Sequence, residues 1–304
     1  MDDKRLRHMG AIQIKPKYDW KKYKFVSELG DGAFGKVFLV NSCEDRKNYA
    51  LKKIKCETND DLEHVTEELK AMSRLEHPNI VKIVETVCKQ RDDFLADIYI
   101  ILEYCSKGTL TQRLSKPYNE AKQIKWLKQL SEAVAYIHAL SLVHRDLKPD
   151  NILFSANDNV KVGDFGLARD FVSAKREDET WLNYYMNSFC GTIFYMAPEV
   201  FDGHYNEKAD VFALGLLMYV IAERIYNYIE GKLCYGLFLR LDDGTWTPLG
   251  LQMYIDKKGL HDQFSFKKCS SRVARIIESA LVYNQNDRSD AASLHGKMKD
   301  IQWI

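Results

Sequence analysis

The sequence lacks a net charge of either sign and lacks any long apolar run. Its 44 lysines and arginines against 43 aspartates and glutamates leave a formal net charge of +1, so no overall field favours nucleic acid or an acidic membrane. The longest apolar stretch, residues 211–222, is shorter than the roughly 20 residues that a membrane-spanning helix needs, and it indicates a buried helix. Residues 1–10 carry charges with no apolar run behind them, so we expect no secretory signal. We expect neither a nucleic-acid nor a membrane partner, and an intracellular location in the nucleus, the cytoplasm or both.

Paired cysteines and internal repeats are also missing. The seven cysteines are odd in number and form no C-x-x-C pair, which is typical of neither a disulfide framework nor a zinc module. The absence of repeats excludes solenoids and collagen-like arrays. These absences indicate a globular protein of a reducing compartment. Its 304 residues exceed what one compact core holds, which predicts two lobes or domains.

The most informative string that is present covers residues 144–151 and reads HRDLKPDN. Asp146 can take the proton of an attacking hydroxyl, Lys148 can lie beside a migrating phosphoryl group, and Asn151 can hold a divalent ion. The alternative is a solvated, charged turn between two apolar runs, since proline and asparagine are ordinary loop residues. The string resembles the H-R-D-L-x-x-x-N catalytic loop of eukaryotic protein kinases.

A glycine-rich string, GDGAFGKV at residues 30–37, lies between two stretches of strand-forming residues. Glycines let a backbone approach nucleotide phosphates without a side chain intervening. A helix after the string would indicate a dinucleotide fold, whereas residues 37–40 are strand formers, which favours the kinase loop. A simple hairpin is the alternative. By the resemblance, the ATP-binding residues here are Gly30, Gly32, Gly35 and Val37.

The next strand, residues 49–54, resembles the V-A-I-K signature of kinases. The resemblance implies that Lys52 contacts the α- and β-phosphates of ATP and that Ala50 belongs to the same site. Lys53 is the alternative, but in a strand it points to the opposite face. We therefore assign the phosphate contact to Lys52.

Helical spacing of apolar residues begins after a predicted N-cap at residues 59–61. This helix corresponds to the one that the family calls αC. Glu67 and Glu68 are both candidates for the ion-pair partner of Lys52, and the family spacing to residues 77–81 selects Glu68. Solvated charges on the helix surface are the alternative for both.

Residues 81–87 and 97–103 have the composition of two further strands, and the second leads into a string that resembles the kinase hinge. The resemblance implies that Glu103 and Cys105 offer backbone groups to adenine and that Leu153 belongs to the same site. After Gly108 the composition changes to helix formers, with a predicted helix over 122–139. The boundary between the lobes is therefore predicted near residue 105.

The triplet at residues 164–166, Asp-Phe-Gly, follows the catalytic string and a short strand. In that position it resembles the magnesium-binding D-F-G, with Asp164 as the metal carboxylate and Asn151 as the second ligand. A long polar segment then leads to residues 188–199, where Thr192 is expected to bond to Asp146 and Lys148. Lys148 and Thr192 favour serine and threonine over tyrosine as acceptors.

Three further family contacts are expected in the second lobe. Residues 210–215 resemble the family's central buried helix, whose Asp210 is expected to hold the backbone of the catalytic loop. Arg288 is the expected partner of Glu199. Ser188 lies four residues before Thr192, and we predict that its phosphorylation pairs it with Arg145 and orders the activation segment.

Residues 225–268 depart from ordinary kinases. Residues 232–241 and 245–249 flank an Asp-Asp-Gly turn, which predicts a β-hairpin. Together with residues 190–200 and 203–205, this insert resembles the kinase clade named for binding a PDZ-LIM actin-associated protein. Exposed-looking aromatics at Tyr235, Phe238 and Trp246 predict a partner-binding surface, with packing onto the protein's own core as the alternative.

Taken together, the motifs predict an α+β, bilobal protein kinase fold with a five-stranded N-lobe sheet plus αC and a mainly helical C-lobe. We assign residues 1–22 to a flexible leader, 23–105 to the N-lobe and 106–304 to the C-lobe. The expected activity is transfer of the γ-phosphoryl group of ATP, with Mg²⁺, to serine or threonine hydroxyls of protein substrates. A dual-specificity or tyrosine kinase and a pseudokinase scaffold are the alternatives.

Overall fold

The structure is a computed structural model that describes residues 20–32, 35–90, 96–164, 169–170, 192–229 and 231–302. The chain divides into two compact units, Met1–Ser106 and Lys107–Ile304. Of the predicted leader, the structure describes only a single 3₁₀ turn at Trp20–Lys22. Each unit is described separately below.

The first unit is an antiparallel sheet of five strands with one helix. Strand-forming aromatic and β-branched residues recur along the strands, and the spatial order is β1-β2-β3-β5-β4. The helix α1 (Asn59–Ser73) follows β3 in the chain. The strands are β1 (Tyr23–Gly32), β2 (Gly35–Ser42), β3 (Asn48–Cys56), β4 (Ile83–Gln90) and β5 (Ala96–Glu103).

Two hydrophobic clusters use the alternating sides of this sheet. Ile54 and Ile100 pack with Val65 and Leu69 of α1. Ile101, the next residue along β5, belongs instead to a cluster with Leu51 and Val40. Because successive strand residues point to opposite faces, the α1 side and the outer side of the sheet each have their own apolar layer.

The second unit is mainly helical and is centred on a buried helix. In α4 (Glu207–Glu223) every residue from 209 to 223 is buried. The apolar run at residues 211–222 is therefore covered by other parts of the protein on every side of the helix. Asn206 caps its first turn, and the helix ends where Arg224 adopts a left-handed backbone with φ of 52°. The other helices are α2 (Leu110–Leu114), α3 (Glu120–Ala139), α5 (Leu249–Asp256), α6 (Ser271–Glu278) and α7 (Ala291–Lys299).

Short strand pairs complete the second unit. Of the four pairs among the described residues, three connect sequence neighbours, β7 with β8, β10 with β11, and β12 with β13, whereas β6 pairs with the distant β9. The strands are β6 (Leu142–Val143), β7 (Ile152–Phe154), β8 (Val160–Val162), β9 (Arg169–Asp170), β10 (Tyr226–Ile229), β11 (Lys232–Tyr235), β12 (Phe238–Arg240) and β13 (Trp246–Pro248).

The structure corrects the predicted hairpin of the insert. The turn at 242–244 does connect two paired strands, β12 and β13, but residues 232–241 are not one strand. They divide at Gly236 into β11, which pairs with β10, and β12. The assignment of exposed aromatics was also partly wrong, because Tyr235 and Phe238 are buried and only Trp246 is exposed.

The predicted α+β fold class is confirmed by the five-stranded sheet and the mainly helical second unit. Among the described residues, no helix combines the length and the apolar character that crossing a membrane requires.

Candidate active site

The catalytic string follows β6 and leads into β7, with Asp146 as its buried centre. One carboxylate oxygen of Asp146 lies 2.8 Å from the ammonium of Lys148. The same oxygen accepts a hydrogen bond of 2.9 Å from the side-chain amide of Asn151, which also donates to the Asp146 carbonyl at 2.7 Å. The carboxylate is therefore fixed in direction by two residues of its own loop.

Thr192 completes the surroundings of Asp146 from a distant part of the chain. Its hydroxyl donates to the second carboxylate oxygen of Asp146 at 3.3 Å and accepts from the Lys148 ammonium at 2.9 Å. Both predicted hydrogen bonds of Thr192 are thus confirmed. Asp146, Lys148 and Thr192 form a closed triangle in which a carboxylate, a cation and a hydroxyl lie within hydrogen-bond distance.

His144 holds the catalytic loop in place as a neutral ring. Its Nδ1 accepts from the backbone N–H of Asp146 at 3.2 Å, and its Nε2 lies 3.1 Å from the carbonyl of Gly163. Only a ring with its single proton on Nε2 satisfies both partners. Complete burial lowers the pKa of His144, against the opposing pull of the carboxylates of Asp210, Asp146 and Asp164.

Asp210 anchors the loop to α4 as predicted. One of its carboxylate oxygens accepts from the backbone N–H of His144 at 2.7 Å and lies 3.0 Å from Nε2 of His138. The other accepts from the backbone N–H of Arg145 at 2.9 Å and from the Tyr205 hydroxyl at 2.8 Å. Burial alone would raise the pKa of Asp210, but the close contact with His138 and the hydrogen bond from the His144 backbone lower it.

Two residues beside the site adopt a left-handed backbone that is rare outside glycine. Arg145 has φ of 70° and Asp164 has φ of 56°. The backbone N–H of Arg145 is held by Asp210, and its guanidinium lies over the Tyr205 ring at 5.6 Å. Strained conformations of this kind persist where surrounding contacts determine them, and they concentrate at functional sites.

The predicted pair of Glu199 with Arg288 is present and buried. Its two parallel contacts measure 2.6 and 3.0 Å. The guanidinium also donates to the carbonyls of Lys208 and Val282, and Phe212 lies under it at 5.0 Å. A bidentate pair with these further acceptors ties the turn after residue 197 to the loop before α7.

In the first unit, β3 places Lys52 and Lys53 on opposite faces. Lys52 is buried and has the same strand parity as Ile54 and Cys56, which pack with residues of α1. Lys53 points to the other side, where its ammonium lies 3.2 Å from the Asp97 carboxylate. Lys52 is therefore the lysine that faces α1.

The other residues assigned to ATP in this unit lie along three neighbouring strands. Gly30 and Gly32 are in β1 and Gly35 is in β2. A side chain on Gly35 would collide with the carbonyl of Lys53, and its φ of 119° also favours glycine. Val37 is paired with Lys52, and Ala50 with Leu102.

The hinge string begins at the end of β5. Glu103 exchanges two hydrogen bonds with Lys82, one through its backbone N–H at 3.0 Å and one through its carboxylate at 2.8 Å. Cys105 is buried two residues later. In the second unit, Leu153 in β7 forms a bridge with Thr109.

Several predicted residues fall outside the described part of the structure. Glu68 lies in α1, but its side chain is not among those described. Residues 165–166 of the D-F-G triplet lie outside the described residues altogether, and so does Ser188, the predicted phosphorylation site.

Sequence reasoning missed His138 and Tyr205 as partners of Asp210. His138 lies near the end of α3 and Tyr205 just before α4. His138 stands in no motif that the sequence singled out, and Tyr205 stands in the string at residues 203–205 that was read only as a clade resemblance. A polar residue in the last turn of a helix that delivers a catalytic loop is the only signal that would have pointed to His138.

Among the described residues, no cluster of three or more histidine, cysteine or acidic side chains suits a metal ion. Asn151 and Asp164 offer oxygen ligands, which suit magnesium shared with substrate phosphates better than an all-protein metal cage.

A family model described as the protein kinase domain matches residues 23–298. The chain belongs to the protein kinase family. A kinase from mouse (Mus musculus), serine/threonine-protein kinase Nek1, is 29% identical over 271 residues, which cover 86% of this chain and 21% of that protein. The chain therefore spans about a fifth of the length of this relative.

Proposed function

We propose that this kinase transfers the γ-phosphoryl group of ATP to serine or threonine hydroxyls of protein substrates. The observation that carries the proposal is the orientation of the Asp146 carboxylate, which three polar side chains hold in a buried loop. In this role Asp146 accepts the proton of the substrate hydroxyl and directs the oxygen towards phosphorus.

Lys148 and Thr192 support this chemistry by charge and position. The Lys148 ammonium, 2.8 Å from Asp146, stabilises negative charge on the transferring phosphoryl group. The Thr192 hydroxyl bridges the same two side chains and keeps them at a fixed separation. Preorganised groups of this kind need no rearrangement when charge develops.

The family implies ATP and typically Mg²⁺, which supply the phosphoryl group and neutralise its charge when bound. In the second unit, Asn151 and Asp164 would supply the oxygen ligands of a magnesium ion. The Asn151 amide nitrogen donates to Asp146. The side-chain oxygen, the kind of ligand that magnesium prefers, therefore faces away from Asp146.

The nucleotide roles proposed for the first unit rest on its strands. Lys52 would hold the α- and β-phosphates from the α1 face, and the glycines of β1 and β2 would let the backbone approach the phosphates. Glu103 and Cys105 would offer backbone groups to adenine. Glu68 is the proposed partner of Lys52.

Serine and threonine specificity is supported by Lys148, which lies two residues after Asp146, and by the similarity to a mouse serine/threonine-protein kinase. The narrower assignment, to the clade named for a PDZ-LIM partner, has no support from the comparisons and stays a prediction from sequence strings. The partner surface proposed for residues 225–268 likewise stays a prediction, and of the three aromatics predicted to form it only Trp246 is exposed.

The test is phosphoryl transfer from labelled ATP to degenerate peptide libraries that carry serine, threonine or tyrosine as the only acceptor. We expect transfer to serine and threonine, and a loss of about 10²-fold or more in turnover for Asp146→Asn, which keeps the side-chain shape but cannot take a proton. Transfer to the tyrosine library would identify a dual-specificity enzyme. No transfer by the parent protein, or equal rates for parent and variant, would refute the proposal.

A further inference from the structure

The insert at residues 225–268 packs against the segment that carries Thr192. This segment begins with a 3₁₀ turn at Thr192–Tyr195 and continues into another at Pro198–Asp202. Three of the contacts that connect the insert to it involve residues 194–196 and are made by β11, β12 and α5. All of them lie within the second unit.

The first contact is a hydrogen bond between buried groups. The Tyr195 hydroxyl donates to the backbone carbonyl of Tyr235, the last residue of β11, at 2.7 Å. Both tyrosines are buried. Burial raises the pKa of Tyr195 well above its usual value, so the hydroxyl remains a donor across the physiological range.

The second and third contacts are apolar and steric. The ring of Phe238, the first residue of β12, meets the ring of Phe194 edge-on at 5.0 Å between centroids. Gly250 in α5 lies so close to the carbonyl of Met196 that a side chain at residue 250 would collide with it. The insert thus touches three consecutive residues of the segment, 194 to 196.

The turn is therefore held from two sides. At its start, Thr192 bonds to Asp146 and Lys148. Three residues later, Tyr195 bonds to the insert. A 3₁₀ turn of four residues has few internal hydrogen bonds of its own, so its position depends on these outer contacts.

We propose that the insert positions Thr192 for catalysis, with the Tyr195 hydroxyl and the Phe238 ring as its positioning groups. This inference rests on the proposed kinase activity and adds residues 235–250 to the parts of the chain on which turnover depends. It also gives a role to the two buried aromatics of the insert that does not require a binding partner.

The sharpest test is Tyr195→Phe, which removes the hydroxyl and keeps the ring. We expect kcat towards the best serine or threonine library peptide to fall about three- to tenfold, the effect of losing one net hydrogen bond in the transition state. The KM for ATP should remain unchanged, because the altered turn carries no nucleotide residue.

Tyr118→Phe is the matched control. The hydroxyl of Tyr118 also donates to a backbone carbonyl, that of Ile221 in α4 at 2.8 Å, but neither residue belongs to the insert or to the turn. Both variants should lower the melting temperature. Only Tyr195→Phe should lower kcat, and this difference separates positioning from a general loss of stability.

Phe238→Leu provides a second measurement, because it shortens the side chain that meets Phe194 without introducing a polar group. It should lower kcat in the same direction, again at constant KM for ATP. If the parent protein transfers phosphate while Tyr195→Phe and Phe238→Leu keep its kcat, the positioning role is wrong although the kinase assignment stands. If the parent protein transfers none, the kinase assignment itself fails.

Discussion

The hydroxyl of Thr192 is the smallest group on which the active site depends. It lies between the Asp146 carboxylate and the Lys148 ammonium and bonds to both. The ammonium and the carboxylate are already in contact at 2.8 Å, so the hydroxyl does not bring them together. It holds the second carboxylate oxygen and fixes one hydrogen-bond direction of the ammonium, and without it both side chains lose that fixed orientation.

Thr192→Val should therefore reduce kcat about tenfold or more, since valine keeps the shape of threonine without its hydroxyl. Thr192→Ser retains the hydroxyl and is the matched control, for which we expect activity within about threefold of the parent. Steady-state kinetics on both variants checks this. Equal rates for the serine and valine variants would show that turnover does not depend on the hydroxyl at this position.

The neutral ring of His144 makes stability depend on pH. The pKa of His144 is lowered in the folded protein. As pH falls, His144 therefore binds its proton at a higher pH in the unfolded chain than in the folded one. The contribution of His144 is complete above its unfolded pKa of about 6.5. It decreases as pH falls below that value, by up to about 1.4 kcal/mol per pH unit.

Urea unfolding of the parent protein and of His144→Phe at several values between about pH 7.5 and about pH 5.5 measures this effect. The variant has fewer hydrogen bonds and should be less stable throughout, but its free energy of unfolding should change less with pH. The other histidines contribute equally to both proteins. Parallel curves would show that His144 does not titrate differently on folding.

Helix α4 holds the catalytic loop through one carboxylate, and the Tyr205 hydroxyl donates to that carboxylate at 2.8 Å. Tyr118 offers a close comparison, because its hydroxyl donates to a neutral carbonyl, that of Ile221, at the same 2.8 Å. Each ring also has an arginine over it, Arg145 or Arg224. The two tyrosines differ mainly in the charge of the acceptor.

Hydrogen bonds to charged acceptors contribute more than those to neutral ones. Tyr205→Phe should cost about 1.5–3 kcal/mol of unfolding free energy, and Tyr118→Phe about 0.5–1.5 kcal/mol. Chemical denaturation of both variants gives the two values. A smaller loss at Tyr205 than at Tyr118 would contradict a charged Asp210.

The turn after residue 197 and the loop before α7 are joined by the buried pair of Glu199 and Arg288. Glu199→Gln leaves the guanidinium without a countercharge, and we expect a loss of about 3–5 kcal/mol. The double variant with Arg288→Met removes both charges. It should cost less than the sum of the single changes, because the strongest penalty belongs to the unpaired charge. Additive losses would mean that the two residues do not interact.

For the chain as a whole, cysteine reactivity reports on both units. All six described cysteines are free thiols, with Cys43 exposed and Cys56 buried in the first unit. In the second unit, burial together with the neighbouring Glu223 carboxylate raises the pKa of Cys269 to about 12. Only the thiolate reacts, so a raised pKa slows alkylation.

Among the described cysteines of the native protein at about pH 8, Cys43 should react first, and Cys269 and Cys56 more than about tenfold more slowly. Mass spectrometry of peptides after timed alkylation gives the rates, and full unfolding in urea should make them similar. Fast native labelling of Cys56 would contradict its burial in the sheet.

Much of this molecule was predictable because several contacts are encoded by short strings with fixed spacing. The bonds of Thr192, the anchoring by Asp210 and the pair of Glu199 with Arg288 were all expected and are all present. Each involves charged or strongly polar groups whose burial requires a specific partner. The partner is therefore determined once the motif is identified.

The insert was harder to predict because its apolar residues show no clear alternation. Residues 232–241 contain no proline, and Gly236 gives only a weak signal for the bend that divides them into β11 and β12. Which face of a short strand is buried depends on what packs against it. For Tyr235 and Phe238 that element is the turn of Thr192, which lies some forty positions earlier in the chain.

The carboxylate of Asp210 has one more consequence. The backbone N–H groups of His144 and Arg145 belong to a loop, where amide protons ordinarily exchange with solvent quickly, yet both donate to this fully buried side chain. Their exchange with deuterium requires the loop to detach from α4. These two amides should therefore exchange as slowly as the core helix, and a loss of their protection would mark the release of the catalytic loop before any strand or helix unfolds.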